Sequence, residues 1–302
     1  MSSETQARFY IPWPHRQRAE AGEHNFINKV ADVVRSAGMQ VSYVDPEVAD
    51  PRLGGYSVFY MRDPFVRNSV TLRKAYYYPF WHIEHTNERW HWEVAETAFV
   101  PSKIDEAEAR KFFQAWRWRL YEPLLKQVEK GDFVYVPLQG KLLEKRYFQY
   151  CSPIEMVEHV LAQEPDRKVV VTLHPGETYS EEERDTLNDM VAKYARLSLQ
   201  VGGMEELLPK CAYVVAMNSS VAFAGYLLKK PCVLFAGIDF HHIAANVDRL
   251  GIEGAFEAVR VMKPPYPQYL WWFLQQMSIN AGRPEAEDKI RARLSGLGWP
   301  VS

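Results

Sequence analysis

Three short runs of consecutive apolar residues organise the second half of the chain. They are Val169–Val171, Ala212–Met217 and Cys232–Phe235, and each is ended by polar residues or glycine. Segments with helical patterning separate them. Short apolar runs bounded in this way are typical of the buried strands of a parallel sheet with helices on its faces. The pattern therefore predicts an α/β fold.

Helix-start signals support this interpretation. Ser152-Pro153-Ile154-Glu155 places a capping Ser before a Pro, with an acid in the first turn, and Ser180 precedes three consecutive glutamates. Both patterns predict helices that begin at these serines. Phe133–Gln139 and Leu197–Val201 predict two further strands. Together these elements form one α/β unit.

The first half has a less regular pattern. Arg8–Ile11, Val41–Val44 and Tyr56–Met61 predict three strands, with a helix between the first two that ends at Gly38. Residues 70–100 are heavily aromatic and show no clear periodicity. This half therefore reads as the start of an α/β domain with an irregular aromatic segment.

A break between two domains is expected near residue 130. Helices are predicted from Ser102 to about Tyr121 and from Pro123 to Lys130, followed by Gly131-Asp132. The expected organisation is an N-terminal α/β acceptor-side domain (1–130), a nucleotide-binding Rossmann-like domain (131–265) and C-terminal helices (266–302).

Composition narrows the class of protein. The chain has 302 residues, which is typical of about two domains. Its formal net charge of −2 lacks the basic excess that nucleic-acid binders usually show, so no nucleic-acid partner is expected. No window of about 18 uninterrupted apolar residues is present, so no transmembrane segment is predicted.

Cysteine usage and the N-terminus predict the compartment. Cys151, Cys211 and Cys232 form neither a disulfide framework nor a metal-like spacing, which favours a reducing environment. The residues Met1–Thr5 lack a basic segment followed by an apolar run, so no signal peptide is predicted. We expect a cytoplasmic location, compatible with the inner face of a membrane.

Polar residues follow the predicted strands at the ends where α/β sheets bind ligands. They are Gln139 after the first strand, His174-Pro175 after the next, Asn218-Ser219-Ser220 after the Ala212 run, and His241-His242 after the last. Asn and Ser at a helix start are also ordinary caps, and the two roles are compatible. Adjacent histidines usually point to opposite sides, so at most one, His241, is expected to face a ligand.

The aromatic segment carries several side chains that metals prefer. His82, Glu84, His85, Glu88, His91 and Glu93 lie close in sequence. Their spacing matches no metal motif, and the His-Glu-x-x-His pattern is absent. No metal site is predicted, which leaves contact with an acceptor or a structural role for these residues.

The motifs of the second half resemble a known family. They are Pro137-Leu138-Gln139, Ser152–Met156, Leu173–Glu177, Glu206–Leu208, Asn218–Ala222 and Lys230–Gly237. Their order and spacing resemble the bacterial capsular-polysaccharide synthesis glycosyltransferases, among them the β-Kdo transferases, and the wider GT-B nucleotide-sugar enzymes. The resemblance covers about residues 131–245.

The resemblance implies a GT-B-like α/β fold: two Rossmann-like domains with parallel sheets facing a cleft, and C-terminal helices packing back. It implies that His174-Pro175 contacts the donor nucleotide and that Asn218-Ser219-Ser220 binds phosphate. A helix N-terminus suits phosphate because of its unpaired N–H groups and partial positive charge. No cofactor or metal is then required, because a nucleotide-sugar (a CMP-sugar or a UDP-sugar would fit) is the substrate.

Two departures from the family pattern affect the expected chemistry. Many GT-B enzymes have an acid in the helix after the Ser-rich turn, where this chain has Ala224. The β-Kdo group tends to carry an acid soon after the Gln of the first strand, where this chain has Gly140-Lys141. Both weaken the case for a Kdo donor and for a retaining double displacement.

A catalytic base for the acceptor hydroxyl is expected from the first domain. The candidates are Asp63, just after the Tyr56–Met61 strand, Glu84 in the aromatic segment, and Glu23 with His24 in or near the loop after the first strand.

The expected function is transfer of a sugar from a nucleotide-sugar to a glycan or lipid-linked acceptor in surface polysaccharide (capsular or lipopolysaccharide) synthesis. Peripheral association with a membrane is compatible with such an acceptor. One alternative is a nucleotide-sugar epimerase of the same fold. Another is a non-catalytic GT-B-like protein that binds a glycan or a partner, which the two missing acids favour.

Overall fold

The computed structural model describes residues 5–50, 52–129 and 131–301. The first four residues, where a signal peptide was sought, and Lys130, at the expected boundary, lie outside the described residues. Contacts divide the chain into two units: unit 1 is Met1–Thr97 with Trp272–Ser302, and unit 2 is Ala98–Trp271. Each unit contains a six-stranded sheet.

The strands, in chain order, are β1 (Gln6–Tyr10), β2 (Gln40–Val44), β3 (Tyr56–Tyr60), β4 (Ser69–Lys74), β5 (Phe80–Glu84), β6 (Phe133–Leu138), β7 (Lys168–Leu173), β8 (Leu197–Val201), β9 (Tyr213–Ala216), β10 (Cys232–Leu234), β11 (Ala245–Asn246) and β12 (Ile279–Asn280). The α-helices are α1 (His15–Glu20), α2 (Asn25–Ser36), α3 (Glu93–Glu96), α4 (Glu106–Leu125), α5 (Pro153–Gln163), α6 (Glu181–Lys193), α7 (Met204–Leu207), α8 (Ser220–Leu227), α9 (Val247–Val261), α10 (Tyr266–Trp271) and α11 (Ala286–Gly296). A π-helical turn, Trp272–Gln276, follows α10.

The sheet of unit 1 has the order β12-β5-β4-β3-β1-β2. Strands β1 to β4 are parallel to one another. Strand β5 runs antiparallel to both of its neighbours, β4 and β12. The expectation of a parallel sheet is therefore wrong at this side, because the short connection at residues 75–79 cannot make a parallel crossover. Every residue of β5 is buried. A strand buried on both faces lacks polar alternation, which is why the aromatic segment shows no clear periodicity.

Helix α2 forms the core of unit 1 with the sheet. It buries Phe26, Val30 and Val34 at helical spacing, and the chain leaves it through Gly38, whose φ of 82° suits glycine. The C-terminal helix α11 adds Ile290 and Leu294 to the same core and packs against α2. The expected return of the C-terminal region to the first domain is confirmed for α11.

The division into units differs from the expected boundaries near 130 and 265. Helix α4 packs on α8 and α10, so it belongs to unit 2. Its cap is Asp105, whose Oδ1 accepts a hydrogen bond from the Glu108 N–H at 2.7 Å, rather than Ser102. The helix kinks at Tyr121, shortly before Pro123, and continues to Leu125 in place of a separate linker helix.

The sheet of unit 2 is parallel throughout. Its order is β8-β7-β6-β9-β10-β11, which in the unit's own strand count is 3-2-1-4-5-6. This is the Rossmann order, so the expected Rossmann-like domain is confirmed. The predicted helix starts are confirmed as capping boxes, Ser152 with Glu155 and Ser180 with Glu183.

Within the described ranges, no helix combines the length and the apolar character that crossing a bilayer needs.

Candidate functional site

The carboxyl edge of the unit 2 sheet carries the residues predicted to hold a donor. The strand order reverses between the adjacent strands β6 and β9. The loops that follow these two strands lead away to opposite faces of the sheet, which opens a crevice between them. Gln139 directly follows β6, and the segment Asn218-Ser219-Ser220 follows β9. His174 follows β7, which pairs with β6. The fold therefore brings these predicted positions to one edge.

His174 is held in a defined orientation by its own loop. Its Nδ1 accepts a hydrogen bond from the Gly176 N–H at 3.1 Å, and its backbone N–H donates to the buried Tyr179 hydroxyl at 2.9 Å. An Nδ1 that accepts leaves the proton of the neutral ring on Nε2. Because the His174 side chain is exposed, this Nε2–H is directed at solvent and available to a ligand oxygen.

An acid lies at the end of β6 although the loop sequence there contains none. A Cβ added at Gly140 would be 2.9 Å from Glu177 Oε2, so the Glu177 carboxylate of the β7 loop lies against the Gly140 backbone. Sequence reasoning missed this position because the residues lie in different loops. Gly140 therefore has an acidic neighbour that comes from a different loop.

The Asn218-Ser219-Ser220 segment combines a helix cap with accessible polar side chains. Ser219 is buried and its Oγ accepts a hydrogen bond from the Val221 N–H at 3.3 Å, which confirms that Ser219 caps α8. Ser220 is exposed and Asn218 is half-buried. The cap hydroxyl is thus engaged with the helix, while Ser220 and Asn218 present polar atoms at the edge.

His241 and His242 do not point to opposite sides. Their rings stack with centroids 4.2 Å apart and an interplanar angle of 18°. The expectation is wrong because the pair lies in a 3₁₀ turn, where neighbouring side chains are not alternated as in a strand. His242 Nδ1 lies 3.1 Å from the Tyr269 hydroxyl, which fixes the stack on α10.

The three acids proposed as bases lie in different surroundings within unit 1. Glu84 is 1% exposed and bonded to Arg293. Burial raises the pKa of Glu84 to about 7, against the opposing effect of Arg293. Asp63 is exposed in the connection from β3 to β4, where its carboxylate accepts from the Asn87 N–H at 2.9 Å. Glu23 is exposed in the turn between α1 and α2.

A group of aromatic and imidazole rings lies at the carboxyl edge of the unit 1 sheet. The four parallel strands have the order β2-β1-β3-β4, as in the first part of the flavodoxin-like order, with a switch point between β1 and β3. His15 begins α1 after β1, and its ring lies 4.6 Å from that of Tyr60, the last residue of β3. His24 is next to both, with centroid distances of 5.6 Å to His15 and 6.0 Å to Tyr60.

Both imidazoles are held neutral. Burial, Lys74 and Arg18 lower the pKa of His15, and burial with the neighbouring His15 lowers the pKa of His24 to about 4. His24 Nδ1 accepts from the Ile27 N–H at 3.3 Å and caps α2. Within the described residues, the buried Nδ1 of His15 has no hydrogen-bond partner. A lone loop histidine gives no sequence pattern, so only the fold identifies it.

The histidines of the aromatic segment are dispersed. His82 is buried and its Nε2 lies 3.2 Å from Ser278 Oγ, whereas His91 lies near Glu88 and Glu96 at the surface. Across the ranges 5–50, 52–129 and 131–301, no three His, Cys, Asp or Glu side chains converge to hold a metal ion. These positions favour the structural role for His82.

Comparison with solved structures shows the fold. The beta Kdo 2,7 transferase of Thermosulfurimonas dismutans KpsC matches with a TM-score of 0.52 and 10% identity, over 98% of this chain and 100% of that one. The beta Kdo 2,4 transferase of the same KpsC gives 0.48 and 11%, over 88% and 89%. UDP-GlcNAc 2-epimerase of Methanocaldococcus jannaschii gives 0.32 and 9%, over 96% and 99%.

The first match confirms the expected GT-B-like fold and, at the level of the fold, the resemblance to the capsule glycosyltransferases. At this identity the likeness reaches no further than the fold. No protein-family model matches the chain, and no curated protein matches it.

Proposed function

We propose that the chain is a glycosyltransferase of surface polysaccharide synthesis. It takes a sugar from a nucleotide-sugar held by unit 2 and passes it to a glycan or lipid-linked acceptor held by unit 1. The observation that carries the proposal is the shared position of Gln139, His174 and Asn218-Ser219-Ser220 at the carboxyl edge of a sheet with Rossmann strand order. The fold that the chain shares with a capsule transferase supports it.

The donor side supplies hydrogen-bond donors for a phosphate leaving group. The His174 Nε2–H is preorganised by the bond that Nδ1 accepts. Ser220 adds a hydroxyl donor, and the N-terminus of α8 adds a partial positive charge. Such groups stabilise the charge that grows on phosphate as its bond to the anomeric carbon breaks, so no metal is needed.

On the acceptor side, we assign the role of the base to His15. A neutral imidazole takes the proton of the acceptor hydroxyl while that oxygen bonds to the anomeric carbon. His15 is kept neutral by burial and by Lys74 and Arg18, and it follows β1 at the switch point of its sheet. Asp63 and Glu23 stay predictions, whereas Glu84 is engaged by Arg293.

The experiment has a binding stage and a turnover stage. Calorimetry with CMP, UDP and GDP tests the donor site. His174→Ala should reduce the binding free energy of whichever nucleotide binds by about 1–3 kcal/mol, the range for a hydrogen bond to a charged group. His85→Ala is the matched control, because His85 is an exposed histidine of unit 1. Nucleotide-sugars are then incubated with and without glycan acceptors.

The outcomes separate the alternatives. The site assignment is wrong if no nucleotide binds or if His174→Ala binds as well as the wild type. If the donor alone yields an epimerised or a free sugar, the activity is that of an epimerase or a hydrolase and not of a transferase. Nucleotide binding without turnover on any acceptor would favour the non-catalytic alternative.

A further inference from the structure

A cationic cavity lies in unit 2, on elements that the proposed transfer does not use. It has a volume of about 310 Å³ and lies among α4, the segment after α8 and the start of α10. Its lining includes Glu106, Arg110, Phe113, Gln114, Arg117 and Lys229. Arg110 is ion-paired with Glu106. The other two cations of the lining, Arg117 and Lys229, form no ion pair with a lining carboxylate.

Arg117 is the more buried of the two cations. Its guanidinium lies 5.2 Å from the Phe113 ring, and burial lowers its pKa. Within the described ranges its Nε is buried without a hydrogen-bond partner, and no acid forms an ion pair with it. Lys229 Nζ lies 5.9 Å from the same ring. The buried Nε–H of Arg117 costs free energy unless an acceptor binds it, the exposed Lys229 adds a second positive charge, and a phosphate offers several oxygens to both.

The exposed surface of α4 outside this cavity is aromatic and basic. Trp118 is 58% exposed and lies one helical turn from Gln114, which lines the cavity. Lys111 and Arg119 are exposed on the same helix. From Ala109 to Tyr121 the chain has four basic residues and no acidic one.

We propose that this face of α4 docks on an anionic membrane, with a phospholipid phosphate in the cavity and Trp118 at the lipid interface. A helix with Trp on its surface and Lys or Arg beside it is suited to the headgroup region. Charge complementarity selects anionic lipid, because each nearby cation strengthens attraction to such a surface. A free phosphate would need only the cavity, whereas the exposed Trp118 favours a lipid as the occupant. The inference goes beyond the sugar transfer and does not depend on it.

The experiment measures sedimentation of the full chain with phosphatidylglycerol-containing and pure phosphatidylcholine vesicles. The wild type should bind the anionic vesicles selectively. Arg119→Gln, a matched loss of one charge outside the cavity, should weaken binding about fivefold. Arg117→Gln should weaken it at least tenfold more, because it also removes hydrogen bonds to a charged group. Trp118→Ala should weaken binding, whereas Trp13→Ala, at another exposed Trp of the chain, should not.

Three results would overturn the inference. They are absence of binding to anionic vesicles, equal binding by Arg117→Gln and Arg119→Gln, and equal binding by Trp118→Ala and wild type. Thermal stabilisation by inorganic phosphate alone, lost in Arg117→Gln, with no vesicle binding would assign the cavity to a free anion instead. Circular dichroism of each variant establishes that it is folded.

Discussion

Arg293 Nη2 donates a hydrogen bond to Glu84 Oε2 across 2.5 Å, although 209 positions of sequence separate the two residues. The same guanidinium donates from Nε to the Ile83 carbonyl at 2.8 Å and forms an ion pair from Nη1 with Glu93 at 2.8 Å. Helix α11 is thereby tied to β5. This contact explains why the C-terminal segment belongs to unit 1, and it gives Glu84 a structural role.

We predict that Arg293→Ala destabilises the protein by about 3–5 kcal/mol, the cost of leaving one charge of a buried pair without its partner. The measurement is chemical denaturation at pH 8, where Glu84 is ionised in the folded state. Arg283→Ala, at an exposed arginine before α11, is the control and should change stability by less than about 0.5 kcal/mol. A loss of less than about 1 kcal/mol in Arg293→Ala would show that the pair is not needed for stability.

The second prediction concerns stability against pH. The folded state lowers the pKa of His24 to about 4 and of His82 to about 3, mainly by burial. As pH falls below 6.5, the unfolded chain therefore binds protons that the folded chain does not, and stability is lost. Glu84 acts in the opposite direction between pH 7 and 4.5, because its raised pKa lets the folded state bind its proton first.

Variants separate these contributions. His24→Asn should flatten the loss of stability between pH 6.5 and 4, since Asn preserves the cap of α2 without titrating. Glu84→Gln should steepen the loss between pH 6.5 and 4.5, since it removes the opposing group. Denaturation across this pH range measures both slopes. Parallel curves for the wild type and both variants would contradict the assignment of these protons.

How much the sequence predicts depends on the range of the interaction. The caps at Ser152 and Ser180 are predictable because each capping box spans four neighbouring residues. The sheet of unit 2 is predictable because its strands are continuous apolar runs ended by polar residues. The edge that holds Gln139, His174 and Asn218 follows from the strand order alone.

Contacts between distant segments are not predictable in this way. Glu84 is a plausible base in sequence, and only the packing of α11 reveals Arg293 as its partner. The approach of Glu177 to Gly140 depends on two loops that are distant in sequence, so no local pattern reveals it. His15 has no motif, because its surroundings come from β3 and α2.

The third prediction separates the cap from the ligand contact after β9. Ser219→Ala should lower stability by about 0.5–2 kcal/mol, because it removes the cap of α8. Ser220→Ala should leave stability within about 0.5 kcal/mol, since Ser220 is exposed. Under the proposed function, Ser220→Ala should still weaken the binding of the donor nucleotide, by about 1 kcal/mol for a lost hydrogen bond. Denaturation and calorimetry on the same pair measure both effects, and unchanged nucleotide binding by Ser220→Ala would remove it from the site.

The fourth prediction tests His15 as the base through the pH dependence of the transfer rate. Because burial, Lys74 and Arg18 lower the pKa of His15, the acid limb of kcat should lie below pH 6.5, where the imidazole gains its proton and cannot act as a base. Lys74→Gln should move this limb to higher pH, because it removes a positive charge that disfavours the imidazolium. His15→Gln should lower kcat by about 10²–10⁴-fold and abolish the limb.

Arg16→Gln, an exchange beside His15 that leaves both Lys74 and Arg18 in place, is the control. A limb that persists in His15→Gln, or that Lys74→Gln leaves in place, would assign the base to another group, with Asp63 and Glu23 the next to test.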